Sequence, residues 1–298
     1  MTVQRVTARD YFNSFYLDFL AVELGPAAAD AQRMRHALRW PVADLAELQD
    51  ALSCYDHQHR VYVAGRPAAL AAAAAAEEEE ELGELAIEAL PAELRELVAT
   101  LRSATRVTEV HVVRGGTPEV LAVYPFLCDF DSTVCYPQQV LEGVPVFIGG
   151  AFTAAQPRVQ QDLGITHVVN ATREVKHHFE AVGVQYMRVP VDDAWGEGIA
   201  AHFAAVAAFV AAALDAGGRV LFHCAQGKSR SGACLMAWML SADRALTPAT
   251  ALAQCRSARP LVQPNDWFML QLDDYFHELH DEEEEDEEDK EEEEEKEE

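Results

Sequence analysis

The chain has 298 residues, half of them apolar, which is enough to bury a core and more than one core usually organises, so about two domains are expected. Its formal charge is -27 at pH 7, and residues 281–298 alone hold 16 acids and two lysines, which disfavours a basic surface for nucleic acid. No apolar run reaches the roughly 20 residues of a membrane span, and the six cysteines lie apart with no CxxC pair, unlike a zinc site or a secreted disulfide framework.

The opening MTVQRVTARDYF lacks an apolar signal region, and Asp10 argues against a transit peptide, so a cytoplasmic location is expected, with nucleus and mitochondrion as alternatives. In residues 1–128, Asp44–Leu52 and Pro91–Leu101 read as helices, and HRVYVAG (59–65) and VTEVHVV (107–113) as strands, together a small α/β unit. The run AAAAAAEEEEE (71–81) reads as an acidic low-complexity insertion in it, near 71–84, and more as a loop than as a solvated helix. No catalytic constellation stands out in this part.

From residue 145 the pattern alternates between strand and helix, as expected of an α/β domain. Val146–Ile148 is a short strand, Arg158–Leu163 a helix stopped by Gly164, Thr166–Asn170 a β-branched buried strand and Tyr186–Val191 another. Phe203, Val206, Phe209, Val210 and Leu214 recur at helical spacing until Gly217-Gly218, after which RVLF (219–222) is a strand running into His223-Cys224. The Asp/Glu tail from Asp281 has no apolar face to bury and is expected to be disordered.

The segment HCAQGKSRSG (223–232) carries the chemistry. Cys224 is followed by Ala225, Gln226, Gly227, Lys228 and Ser229, then Arg230, Ser231 and an Ala-rich apolar helix. Five residues between thiol and guanidinium are enough for the backbone to curl so that its N–H groups converge as an anion nest at a helix N-terminus. Such a nest favours a thiolate at Cys224 over the free thiol, whose pKa is ~8.5, and so makes a nucleophile. Arg230 would grip two phosphate oxygens at once, Gly227 permits the tight turn, and the Ser231 hydroxyl could stabilise the leaving thiolate. A leaving alkoxide needs a proton, and VPVDDAW (189–195) offers Asp192 and Asp193, of which Asp193 is chosen. His223 reads as a hydrogen-bonding support for the nucleophile, and His177-His178 as a solvated loop. No metal and no cofactor are called for.

At these residues the chain resembles the dual-specificity phosphatases, whose signature is HCxxGxxRS. The resemblance runs over 138–278 through VPVFIGGAFTAA, GITHVVNAT, VPVDDAW and RPLVQPNDWFMLQL, and it implies Asp193 as the general acid. It implies a cysteine-phosphatase fold at 138–280, a central, mostly parallel sheet flanked by helices, after a linker at 129–137. VHVVRGGTPEVLAVYPFLC (110–128) resembles the end of the rhodanese-like domain of MAP kinase phosphatases, so residues 1–128 would be a degenerate rhodanese-like α/β domain. RPAALAAA after HRVYVAG offers no cysteine for sulfur transfer, and Arg33, Arg35 and Arg39 fall near the family's kinase-docking cluster. The acidic insertion and PVFIGG are similar to the serine/threonine/tyrosine-interacting-like branch, whose members lack the signature cysteine; this chain retains it.

The resulting expectation is hydrolysis of phosphotyrosine and phosphoserine/threonine in phosphoproteins, MAP kinases among the possible partners, through a phosphocysteine on Cys224. Two other readings are kept. Lys228 adds a cation that would suit a phosphoinositide or another non-protein phosphate, and a scaffold that binds phosphoproteins without turnover is the other class.

Overall fold

The computed structural model describes residues 2–14, 20–24, 38–40, 60–65, 87, 90, 92–103, 107–113, 116–129 and 134–297. The chain divides into two compact units, 1–133 and 134–298. Residues 134–137, expected in a linker, belong to the second unit. The Cys135 main-chain N–H donates to Gln156 Oε1 at 3.3 Å, and Tyr136 is buried with its hydroxyl on Asp162. Burial and that hydroxyl's hydrogen bond push the Tyr136 pKa well above its ordinary value.

The first unit holds strands β1 (Thr2–Val6), β2 (Leu20–Leu24), β3 (Leu38–Trp40), β4 (Arg60–Gly65) and β5 (Glu109–Val113), all parallel, in the order β1-β5-β4-β2-β3. Helices α1 (Ala8–Ser14), α2 (Ala92–Ser103) and α3 (Gly116–Val123) accompany them. Leu94, Leu97, Val98 and Leu101 recur along one stripe of α2 and are all buried, which is what fixes this helix on a core rather than its propensity. Phe12 stacks on Tyr124 at 4.4 Å, tying α1 to the segment after α3. The strands expected at 59–65 and 107–113 and the helix at 91–101 appear as β4, β5 and α2 with ends moved by one or two residues. The helix expected at 44–52, the insertion at 71–84, the loop after β4, Arg33 and Arg35 lie outside the described residues; Arg39 falls within β3.

The second unit holds β6 (Gln138–Gln139), β7 (Val146–Gly150), α4 (Ala151–Ala154), α5 (Pro157–Leu163), β8 (His167–Asn170), β9 (Gln185–Arg188), α6 (Phe203–Asp215), β10 (Val220–Cys224), α7 (Arg230–Ala242), α8 (Pro248–Ala258) and α9 (Asp266–Glu297). The sheet order is β6-β7-β10-β8-β9, parallel throughout except for β6 against β7. β10 is therefore central, and all five of its residues are buried, as a wholly apolar run predicts. Val220 and Phe222 share a core with Val146, Ile148 and Val169, with Phe203, Val206 and Val210 of α6, and with Leu235 and Met239 of α7. Phe147, Val168 and Leu221 alternate with them toward the other face and are buried there. The strand expected at 186–191 ends at Arg188, because Pro190 brings no N–H to the ladder. Gly164 closes α5 in the left-handed conformation, φ 57°, as its position in the sequence implies.

The acidic tail departs from expectation: α9 continues as a helix to Glu297. Its first half is fixed by the buried Phe268, Leu272, Tyr275 and Leu279. Once that nucleus exists, each further residue adds one hydrogen bond, and glutamate is a good helix former, which offsets the few tenths of a kcal/mol that like-charge neighbours cost.

Candidate active site

The end of the central strand is where an α/β sheet leaves room for a ligand, and Cys224 is the last residue of β10, only 2% exposed. Six residues later Arg230 opens α7, whose first eleven residues are all buried. Between them the loop folds as its Gly and spacing suggest. Its carbonyls are drawn outward one after another: Ala225 O accepts from the Ala151 N–H at 3.1 Å, Lys228 O from the Gln263 N–H at 3.1 Å and Ser229 O from the Ala233 N–H at 2.8 Å. The remaining two are held by one side chain. Arg259, 6% exposed, donates through Nη2 to Gln226 O and through Nε to Gly227 O, each at 2.9 Å, while its Nη1 bonds Gln138.

With the carbonyls turned out, the N–H groups turn in. The Gly227 N–H and the Ser231 hydroxyl each lie 3.2 Å from Cys224 Sγ. Burial alone would push the Cys224 thiol up, but the Ser231 hydroxyl and the amides of Ser231, Lys228 and Gly227 outweigh it, and the net shift is down. The other buried thiols behave oppositely: burial raises Cys234, with the neighbouring Cys224 adding to the effect, and pushes Cys255 up to about 12. Only Cys224 among these three is set up as a nucleophile.

Two glycines on β7 make room for this loop. A Cβ on Gly150 would lie 3.2 Å from Ala225 O, and one on Gly227, whose φ is +69°, would lie 2.4 Å from Gly149 O. Gly227→Ala therefore meets both left-handed strain and a main-chain clash that no rotamer relieves. The expected outcome is a folded protein whose loop is displaced, with kcat/KM on an aryl phosphate reduced roughly 10²-fold. Steady-state kinetics alongside a melting curve checks it.

Arg230 is 8% exposed; its Nη1 donates to Val191 O at 3.3 Å, and its Nε has no hydrogen-bond partner among the described residues. A guanidinium anchored on one nitrogen with another donor buried and unused is suited to an incoming anion. Asp193 lines the same pocket as Cys224, Lys228, Arg230 and Asn265. Its Oδ1 accepts from the Ser229 hydroxyl at 2.6 Å and from Asn265 Nδ2 at 2.9 Å, and Ser229 Oγ in turn accepts from the Asn265 N–H at 3.1 Å. Asp192, the rival carboxyl, turns away: it pairs with Arg173 at 3.4 Å and is 60% exposed.

The surroundings of three side chains go beyond the sequence expectations. Ser229, expected only as a member of the phosphate loop, gives its hydroxyl to Asp193, because its position as the residue before α7 aims it at the acid loop. His223 is buried, and burial pushes it down to about 4, so the ring is neutral at pH 7, although its hydrogen bond with the Cys224 main chain acts in the other direction; its Nδ1 has no partner among the described residues. The His177-His178 segment is a loop in which His178 is exposed, but the His177 ring is packed, stacking on Tyr186 at 4.2 Å with its Nδ1 2.7 Å from Glu180. No cluster that could hold a metal occurs among the described residues. Arg259, Asn265 and the Gly149-Gly150 pair were given no role from sequence. The paired glycines at a strand end were the signal for a close backbone approach.

Residues 146–278 match the family described as dual specificity phosphatase, catalytic domain. Dual specificity protein phosphatase 26 of Bos taurus is 34% identical over 175 residues, covering 54% of this chain and 81% of that one. The chain belongs to the dual-specificity phosphatase family. Human dual specificity phosphatase 28 is 36% identical over 139 residues, covering 47% of this chain and 78% of its own. A probable rhodanese domain-containing dual specificity protein phosphatase of Dictyostelium discoideum is 31% identical over 183 residues, which is 58% of this chain but 38% of the relative. A crystal structure of human DUSP28 aligns with TM-score 0.44 and 35% identity over 48% of this chain and 93% of that one. No helix among the described residues of this dual-specificity phosphatase is long and apolar enough to cross a membrane.

Proposed function

We propose that this chain hydrolyses phosphotyrosine and phosphoserine/threonine in phosphoproteins through a phosphocysteine on Cys224. The single observation that carries the reading is the loop in which carbonyls of residues 225–229 are bonded outward while N–H groups and the Ser231 hydroxyl converge on a buried sulfur. Phosphate oxygens would replace part of that contact, and Arg230 would span two of them as charge spreads in the transition state. The sulfur attacks phosphorus and the substrate oxygen leaves with a proton from Asp193; a water that gives a proton back to the Asp193 carboxylate then attacks phosphorus and breaks the S–P bond while Ser231 steadies the departing thiolate.

Asp193 is suited to the acid role because both of its hydrogen bonds fall on Oδ1, leaving Oδ2 to carry the proton. Asp193→Asn is therefore expected to lose roughly 10²-fold or more on phosphoserine peptides, whose alkoxide cannot leave unprotonated. On a nitrophenyl phosphate, whose leaving group needs little help, the loss is expected to be smaller. Asp192→Asn should keep both rates within about threefold, since its partner is an exposed arginine. Rates on both substrates for both variants check the assignment; equal losses in the two variants would overturn it.

The first unit is proposed to be a degenerate rhodanese-like domain. Its support is the five-stranded parallel sheet in the order β1-β5-β4-β2-β3 and the rhodanese domain named in the Dictyostelium relative. MAP kinases are one class of phosphoprotein it could help to recruit. The phosphoinositide reading rests on Lys228, which lines the pocket; a pocket that also carries Asp193 and Asp266 makes the phosphoprotein reading the better one.

A further inference from the structure

Among the described residues of the second unit five large apolar side chains are exposed, Phe152, Val182, Trp195, Leu261 and Leu270, and the first, third and fourth of these stand close in the chain to residues of the phosphate site. Phe152 is 69% exposed, Trp195 71% and Leu261 37%. Each is tied to the phosphate pocket. Phe152 follows Ala151, whose N–H holds the loop at Ala225 O. Trp195 stands two residues after Asp193, and its ring lies 4.9 Å from that of Trp267, the neighbour of the pocket residue Asp266. Leu261 lies between the clamp Arg259 and the pocket residue Gln263.

The charges around the same mouth are mixed at the pocket itself, where Lys228 and Arg230 stand with Asp193 and Asp266, and acidic toward the acid loop. Glu174 Oε1 lies 3.8 Å from Arg230 Nη1 and is 58% exposed. Asp266 lines the pocket, and Arg173 is already paired with Asp192 of the acid loop at 3.4 Å and with Glu197 at 3.0 Å. An anionic flank that runs toward the acid loop would meet Glu174, Asp192 and Glu197 with Arg173 already paired, whereas Lys228 offers its charge at the pocket itself.

We propose that this rim is a specificity surface that seats phosphopeptides with aromatic or aliphatic residues beside the phosphoamino acid and rejects those with acidic neighbours. The proposal rests on the phosphatase reading and narrows it. Exposed apolar side chains carried on the segments that hold the phosphate site would supply binding area, since burying one side chain of this size is enough for about tenfold in affinity. Trp195 is the principal platform, because Trp267 braces it: Trp267 Nε1 donates to Glu197 O at 2.9 Å, which fixes the ring pair on the acid loop. The acidic rim acts as the repulsive half of the selection.

The test uses three phosphotyrosyl peptides that differ only in the residues flanking the phosphotyrosine: leucine, alanine or glutamate. Their Kd values for the full chain carrying Cys224→Ser are read by fluorescence polarisation. The leucine peptide is expected to bind about tenfold tighter than the glutamate peptide, and adding Trp195→Ala should shrink that ratio to about twofold, with Phe152→Ala shrinking it less. Equal Kd values, tighter binding of the glutamate peptide, or a ratio unchanged by Trp195→Ala would overturn the proposal. Wild-type turnover of an aryl phosphate is measured in parallel: its absence with the peptide preference intact overturns the phosphatase reading alone, and its presence with no preference overturns the rim alone.

Discussion

Cys224→Ser is expected to lose roughly 10⁶-fold in kcat on an aryl phosphate, the size of effect seen when a nucleophile that works within a preorganised site is removed. The reason lies in what the loop stabilises. The Gly227 amide and the Ser231 hydroxyl, each 3.2 Å from the sulfur, reward negative charge at position 224. A serine hydroxyl there stays protonated at neutral pH, and His223 does not serve as its base, because burial makes the imidazole a weak proton acceptor and its ring bonds the main chain rather than the side chain of residue 224. Phosphopeptide binding should survive, since the remaining amides and Arg230 are untouched. Kinetics of the variant beside its phosphopeptide affinity check the expectation; residual turnover within about a hundredfold of wild type would refute a covalent role for the sulfur.

Arg230→Lys is the second large effect, a loss of roughly 10³-fold in kcat with a smaller change in KM. Arg230 is fixed by Nη1 on Val191 O at 3.3 Å and keeps a buried Nε without a partner among the described residues. A planar fork held this way can meet two oxygens as the phosphoryl group flattens; an ammonium offers a single point of charge and cannot. Retaining the charge should therefore rescue little, and Arg230→Lys is expected to fall within about tenfold of Arg230→Ala. A lysine variant close to wild type would mean that only charge matters at this position.

The phosphate loop was legible in the sequence because its determinants are local. An apolar strand, a thiol, a glycine where φ is +69°, an arginine and a helix follow one another within about a dozen residues, and each has one conformation that suits it. The alternation that marks β7, β8, β10, α6 and α7 is likewise a short-range property. What could not be read are the partners that arrive from afar. Arg259 reaches carbonyls more than thirty positions back, and Asn265 meets Asp193 across 72. Neither carries a local pattern that distinguishes a clamp from a surface polar residue. The choice of Asp193 over Asp192 rests on the sequence and the family resemblance; it stands as a proposal, and the same long-range contacts support it. His177 misled for a related reason: a pair of histidines in a polar stretch reads as solvated until Tyr186, nine residues on, supplies a ring to stack against. The tail misled in the opposite direction, where charge density suggested disorder and continuation from the packed half of α9 carries the helix on.

All of this depends on the loop holding the sulfur of Cys224 ionised. The pH dependence of alkylation by iodoacetate reads that directly, with each cysteine followed by peptide mass spectrometry, since only the thiolate reacts. Because the folded site lowers the pKa of Cys224, its alkylation should stay fast as pH falls below the ordinary thiol range of ~8.5 and be blocked by inorganic phosphate, whereas a small free thiol in the same reaction slows over that range. A Cys224 profile that coincides with that of a free thiol, or that phosphate leaves unchanged, would contradict the account.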